Sequence, residues 1–440
     1  MSSKEQLENK GLKRSMGIGA ATSVGVGTMV GAGIFVFPGI AGAQAGAAAI
    51  LSFAIGGLIA LLVALCTSEL ATAMPSSGGA YVFVSRSFGS LWGALIGISQ
   101  WLGLVFAAAF YIMGFSDYFK RFLSNIGYDG TTDTILIALI PVLVLFFLNV
   151  VGTKKVGSFQ NAMVTLLAVL LFAVFFYGLF EVLGFFGQKN LYREFAPKGL
   201  EPIFSTTGLI FTSYLGFVQI ATIGGDIKNP RKNLPIALLS SVGIVLIMYI
   251  LVVFVTTAVL TVEELRQYGQ LAIAEVARKL LGDNGPIFVI IAGLLATLSS
   301  ANASIISASR SVYALAKNEL IPKKLARLNK RFKTPHYALL FAVLPIVAML
   351  FLEDLELFAE VASFLHLVIY VAVCASLLYF TKCKRDDYQP SFTIPLRRVI
   401  PVLAIAGCLL VAMSMNRMSI IIGVVICAIA LVYYFFFKRS

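Results

Sequence analysis

Apolar residues fall along the chain in blocks about as long as a helix needs to cross a bilayer, roughly 20 residues. Polar and basic residues are held to the gaps between them. The blocks predict twelve membrane-spanning helices, over residues 16–43, 46–72, 89–116, 133–151, 158–184, 203–225, 234–260, 286–314, 336–352, 356–380, 398–415 and 418–437. They group into a tail at 1–15, a first set of five helices within 16–184, a connection at 185–202, a second set of five within 203–380, a connection at 381–397 and a final pair within 398–440. The first block is too long for the core of a signal peptide and a second span follows at once, so no signal peptide is expected. Between spans, the turn Pro75-Ser76-Ser77-Gly78-Gly79 leads into an amphipathic stretch, Tyr81 to Phe88, expected to lie at the membrane interface. Thr261-Val262-Glu263-Glu264 has the pattern of a helix start, predicting a short surface helix in the connection that follows.

Two spans contain residues that an ordinary membrane helix avoids. Gly25, Gly27, Gly31 and Gly33 interrupt the first, and each glycine in a helix interior costs about 0.8–1 kcal/mol relative to alanine. Either small residues let two helices pack closely there, or the helix is broken, which hydrocarbon tolerates only where the chain lines a cavity. The sixth span carries Thr212, Ser213 and Gly216 at mid-depth and Gly224-Gly225 near its end. Five helices entering from one side and five from the other have opposite orientations, as an inverted repeat requires. Interrupted helices at matching positions in two such halves point to the binding site of a transporter.

Charge supports the topology. The chain is 59% hydrophobic and only 12% charged, with a net charge of +13. If the N-terminus is cytoplasmic, 25 of the 34 Lys and Arg residues fall in cytoplasmic segments, including the cluster from Arg310 to Lys333, so both termini are expected inside. The basic excess therefore follows from topology and does not suggest nucleic-acid binding. Cys66, Cys374, Cys383, Cys408 and Cys427 show no metal-ligand spacing and read as packing residues. With two histidines, His336 and His366, few buried carboxylates and no phosphate-binding loop, nothing in the chain suggests an enzyme, an ATPase or a resident cofactor.

Several motifs, in order, resemble the amino acid–polyamine–organocation family of secondary transporters over nearly the whole chain. Gly31-Ala32-Gly33-Ile34-Phe35 looks like the family's first-helix signature. Glu69-Leu70 followed by Pro75, Gly78-Gly79 and Tyr81 is similar to a second element, and Tyr214 to Phe217 resembles a third. The run Asp226-Ile227-Lys228-Asn229-Pro230-Arg231, continuing to Pro235, is the most specific. The resemblance implies an all-α polytopic membrane protein with the leucine-transporter fold: a 5+5 inverted repeat, helices one and six discontinuous, helices eleven and twelve peripheral, in the plasma membrane. It also implies a substrate that is an amino acid or related amine, moved with protons or by exchange, with sodium coupling in a minority of members.

In such a site, amides around Gly31, Ala32 and Gly33 would face the substrate carboxylate at the positive end of a helix dipole. Carbonyls near Met29 and Val30 and around Phe211, Thr212, Ser213 and Tyr214 would accept from its ammonium, with Gly216 permitting the second break. The resemblance adds Phe217 and Ser304 to the pocket lining, and Trp101, Phe106 and Ser363 beyond them. Where relatives that accept cations carry an acid, this chain has Val218, which favours a neutral amino acid. Where some proton-coupled relatives carry a lysine, it has Leu167. Glu360 and His366 are candidates for ion coupling because ionisable groups inside a membrane are expensive, although His366 serves equally well as a packing residue. Ser299, Ser300 and Ser304, with carbonyls near Gly25 to Thr28, would suit sodium, but membrane serines usually bond their own backbone, which makes that reading less favoured. Asp226 and Glu69, near Lys228, Arg231, Lys232 and Arg86, are either a cytoplasmic gate or ordinary interfacial ion pairs. A channel or a transport-incompetent sensor of the same fold is the competing class.

Overall fold

The computed structural model describes residues 17–74, 79–125, 127–128, 133–151, 154–185, 195–222, 227–329, 334–383 and 388–438. Among them every regular element is a helix. The first predicted span is two helices, α1 (Ile18–Met29) and α2 (Ala32–Ala45), and α3 (Ala49–Ala73) forms the second. A single 3-10 turn, Gly46–Ala48, joins α2 to α3. Gly46 has φ +64°, and a Cβ there would lie 2.5 Å from the Pro197 ring, so two constraints admit only glycine.

The amphipathic stretch is α4 (Gly79–Phe88), whose Phe83 and Val84 are buried. Next come α5 (Ser90–Asn125), α6 (Thr134–Val151) and α7 (Lys154–Val182). The sixth span is α8 (Glu201–Ile210), a 3-10 segment Phe211–Phe217 and the short α9 (Val218–Thr222). Beyond it lie α10 (Pro230–Val259), α11 (Val262–Tyr268), α12 (Ala272–Leu281), α13 (Gly285–Lys317), α14 (His336–Leu350), α15 (Leu355–Cys383), α16 (Val399–Met413) and α17 (Arg417–Lys438). Seven stretches among the described residues are long and apolar enough to cross a membrane: Ala32–Ala73, Ser90–Asn125, Thr134–Val151, Pro230–Val259, Gly285–Lys317, Leu355–Cys383 and Arg417–Phe436. Shorter apolar helices accompany them.

Lipid tails are as apolar as leucine, so burial alone does not hold membrane helices together; close packing and hydrogen bonds do. The central helix is α5, packed against α13 and α15, while α10 packs against α1 and α3. Its most apolar window is 78% buried, against 17% for α17, which marks α17 as peripheral. Polar contacts define the two ends of the bundle. At one, Ser87 at the end of α4 donates to Ser376 on α15, and Ser391 donates to the Arg231 carbonyl at the start of α10. At the other, Ser52 on α3 donates to the Ile203 carbonyl of α8, and Tyr118 on α5 donates to the Gln270 carbonyl.

The connection expected to hold one surface helix holds two, and α12 buries the face from Ala272 to Ala277. α11 starts with a complete capping box. Thr261 Oγ1 accepts from the Glu264 amide at 3.3 Å, and Glu264 accepts from the Thr261 amide at 2.9 Å. Partial burial disfavours the Glu264 carboxylate, but the hydrogen bond from Lys279 and those from Thr261 outweigh it and hold the group below the usual glutamate range. A depressed folded value stabilises the loop above the ordinary range, and that contribution is lost as pH falls through the folded value. Hydrogen exchange at the α11 amides should therefore speed up as acid is added. Thr261→Ala should weaken the same amides by about 1 kcal/mol; exchange indifferent to both changes would remove the cap from the account.

Candidate functional site

α1 ends at Met29 because the backbone leaves helical geometry at Val30 (ψ 72°) and Gly31 (φ −120°, ψ −140°). The Gly31 amide folds back onto the Met29 carbonyl at 2.9 Å, and α2 starts afresh at Ala32. The amides of the new first turn, Ala32, Gly33 and Ile34, have no acceptor within the helix, as at any helix start, and they carry the positive end of the α2 dipole. Of the two readings open in the sequence, close packing or a break, the first span has both. A Cβ on Gly31 would lie 1.8 Å from Ser300 Oγ of α13, and one on Gly33 would lie 2.5 Å from Ser213 Oγ.

The second interruption is tightened, not opened. Phe211–Phe217 is a 3-10 segment, in which carbonyls are engaged by amides three residues on. The carbonyls that accept from outside it lie later than the expected Phe211 to Tyr214. Leu215 O accepts from Tyr370 Oη at 3.2 Å, and Gly216 O accepts from Thr28 Oγ1 at 3.1 Å. The single Thr28 hydroxyl proton is shared between the Gly25 carbonyl of its own helix, at 2.9 Å, and Gly216 of the second break. Gly216 is needed for that approach, since a Cβ would stand 2.5 Å from Thr28 Oγ1.

Buried hydroxyls lie at the breaks, Ser300 Oγ against Gly31 and Ser213 Oγ against Gly33. Ser213, Ser299 and Ser300 are 3–5% exposed, and their Oγ atoms have no hydrogen-bond partner. Ser213 Oγ approaches the Tyr249 hydroxyl without making a well-formed bond. Leaving such a group unsatisfied costs about 1–3 kcal/mol, so hydroxyls against two helix-start glycines are a strong sign of a ligand position. Ser304, also buried, lies one turn from Ser300 on the same face of α13. Aromatic rings close the region: Tyr370 packs on Phe211 and Phe217 at 6.0 and 5.2 Å, and Tyr249 on Tyr214 and Phe53 at 5.4 and 5.2 Å.

Other expected residues sit elsewhere or are already engaged. Thr212 is paired with Ser363 and the Ala359 carbonyl, each at 2.5 Å, which ties the second break to α15. The Tyr214 hydroxyl is committed to the Phe53 carbonyl of α3. Trp101 stacks on Phe341 of α14, and Phe106 packs against Phe358. Glu360 accepts from Ser419 of α17 at 2.6 Å and is not brought to His366. Val30 and Ala32 are buried at the first break. Leu167 lies in α7, but its side chain falls outside the described residues, as does Asp226 altogether.

Glu69 was expected beside Lys228, Arg231, Lys232 or Arg86; its partner is Arg397. Fully buried, the carboxylate receives the Arg397 guanidinium and the Tyr388 hydroxyl on Oε1, and the Ile394 amide on Oε2. The chain from Tyr388 to Arg397 thus forms a strap across the end of α3. The hydrogen bond to Glu69 pushes the Arg397 guanidinium upward despite partial burial. At the opposite end of the bundle an open cavity of about 550 Å³ is lined by Ile40, Asp117, Lys120, Arg121, Arg266 and Glu356.

Tyr249, missed in the sequence, is the clearest addition: its buried hydroxyl donates to the Met29 carbonyl at 3.1 Å and supports the first break from α10. A lone polar group in the apolar run Ile247-Met248-Tyr249-Ile250 was the available signal.

The described residues thus form a helical bundle with seven stretches long and apolar enough to cross a membrane, in which two interrupted helices face each other. The family model for amino acid permeases matches residues 17–439, and the chain belongs to that family. Relatives include the serine/threonine exchanger SteT of Bacillus subtilis, 26% identical over 91% of this chain and 90% of the relative. The branched-chain amino acid permease BcaP of the same organism is 28% identical over 98% and 94%. A methylthioribose transporter, also from Bacillus subtilis, is 24% identical over 91% and 88%. The protein is accordingly a multi-pass membrane permease of an amino acid transporter family, and its relatives are transporters, not enzymes.

Proposed function

We propose that the chain moves a neutral α-amino acid by alternating access, with the substrate held between the two breaks. The observation that carries this reading is the pair of unpartnered buried hydroxyls, Ser300 and Ser213, set against Gly31 and Gly33 at the start of α2. The substrate carboxylate meets the Ala32 and Gly33 amides and these serines; the ammonium meets carbonyls of the second break, the Met29 carbonyl being held by Gly31 and Tyr249. Val218 in place of an acid, and two relatives named for neutral amino acids, support a neutral side chain. The twelve spans form a 5+5 inverted repeat plus a peripheral pair, with both termini cytoplasmic in the plasma membrane. The Glu69 strap then closes the cytoplasmic end, and the cavity of about 550 Å³ is the opposite entrance. Transport runs by exchange or proton symport.

Counterflow in proteoliposomes across the amino acids, with methylthioribose as a comparison, tests the reading. Saturable counterflow of neutral amino acids is expected, and counterflow of methylthioribose alone would overturn it. Tyr249→Phe deletes one bond to the unwound strand, so substrate binding by titration calorimetry should weaken by about 0.5–1.5 kcal/mol with little change in melting temperature. Equal affinity in both proteins would remove Tyr249 from the site.

A further inference from the structure

His366 lies on α15 and is 5% exposed. Its Nδ1 is 2.8 Å from the Ala362 carbonyl one turn earlier; in the neutral ring Nδ1–H donates this bond and Nε2 is left as an acceptor. The ring sits on the bare backbone of Gly103 in α5, where a Cβ would come within 2.7 Å of its Cε1. Beside it is a small cavity with about 10 Å³ of room for the centre of a water molecule, lined by Gln100, Leu104, Leu215, Val218 and Tyr370. That is enough for a single water, with polar partners on its walls.

Leu215 and Val218 stand at the end of the 3-10 segment, so the histidine opens toward the second helix break, not toward lipid. Tyr370, one turn from His366, donates to the Leu215 carbonyl and joins the two. The groups facing the cavity are Gln100 and Leu104 from α5, Leu215 and Val218 from the break, and Ile369 and Tyr370 from α15. Neither a carboxylate nor a cation is among these lining residues. In the packed arrangement an imidazolium here has no counter-charge on the cavity walls and room for a single water, a setting in which a buried charge carries a desolvation penalty. Parting the break from α15 admits water and removes that penalty.

We propose that His366 is the proton-binding residue of the transport cycle, taking up a proton at Nε2 when residues 211–217 move off α15 and releasing it when they repack. A difference in proton affinity between two conformations is what couples a proton gradient to substrate movement. The proposal rests on the transporter reading.

The test uses the full-length protein in proteoliposomes with a mixture of labelled serine and leucine. Wild-type protein should accumulate label under an imposed pH gradient. His366→Gln cannot bind the proton but can still donate to the Ala362 carbonyl; it should lose about tenfold or more of the gradient-driven uptake while retaining counterflow, which needs no net proton movement. Gln100→Leu, which leaves the histidine in place, should shift the pH midpoint of uptake, an effect that a merely structural histidine would not produce. The proposal is overturned if His366→Gln accumulates label like wild type, if the wild-type protein exchanges but draws nothing from the gradient, or if His366→Gln fails to fold and Gln100→Leu leaves the pH profile unchanged. Absence of both counterflow and gradient-driven uptake in the wild-type protein would overturn the transporter reading together with this one.

Discussion

Gly31→Leu should abolish substrate binding while leaving a folded, membrane-inserted protein. Even the first added carbon would stand 1.8 Å from Ser300 Oγ, so the new side chain must displace α13 or occupy the space between the breaks. The Ser300 hydroxyl makes no hydrogen bond, so the leucine turns it aside more readily than it shifts the whole helix. A leucine there also holds a carboxylate away from the Ala32 and Gly33 amides. Loss of about 3 kcal/mol or more would carry affinity beyond a hundredfold reduction, outside the range of most titrations. Calorimetry measures the binding, and elution as a single species with a near-normal melting temperature measures the fold. Unchanged affinity would contradict a site between the breaks.

Arg397→Ala should have the next largest effect, and on a different part of the cycle. Glu69 is 0% exposed while Arg397 is 40% exposed, so the substitution leaves a buried carboxylate without its cation. Breaking such a pair costs about 3–5 kcal/mol when both partners are buried, and solvent around Arg397 places the expected loss at or below the lower figure. Tyr388 and the Ile394 amide still donate to Glu69, which also limits the damage. The strap should loosen, exposing Cys66, which is buried three residues before Glu69 on α3. Faster alkylation of Cys66, located by mass spectrometry, is the readout. Adding Glu69→Gln removes the stranded charge and should recover part of the lost melting temperature. A strap that stays closed to alkylation in Arg397→Ala would show that the ion pair does not latch it.

Much of the geometry at the two breaks was legible, for reasons that differ residue by residue. Gly31 and Gly33 stood out because glycine is costly in a helix with no water to satisfy a freed amide, and the break is found between them and Met29. The second interruption was legible as an interruption, but its form was not: Ser213 and Gly216 suggested unwinding, whereas tertiary contacts from Thr28, Tyr370 and Ser363 hold the segment as a 3-10 turn. Tyr249 and Tyr370 each offered only a lone hydroxyl in an apolar run, and their roles showed once those hydroxyls were seen to meet carbonyls at the breaks. The partner of Glu69 was misjudged because nearby basic residues were assumed to be its neighbours, while Arg397 lies 328 positions away.

The sequence by itself determined that the chain is a helical membrane protein, where its apolar helices run and where two of them are interrupted. Those are local properties: a backbone in hydrocarbon must satisfy its own amides and carbonyls, so each stretch declares its helix, and each costly glycine declares an exception, without reference to the rest of the chain. Only the tertiary structure decided which groups meet at the exceptions: Ser300 against Gly31, Tyr249 on Met29, Arg397 under Glu69, and His366 open to the second break. In lipid these contacts arise from close packing and hydrogen bonds between helices far apart in the chain, and hydrophobic patterning does not specify them.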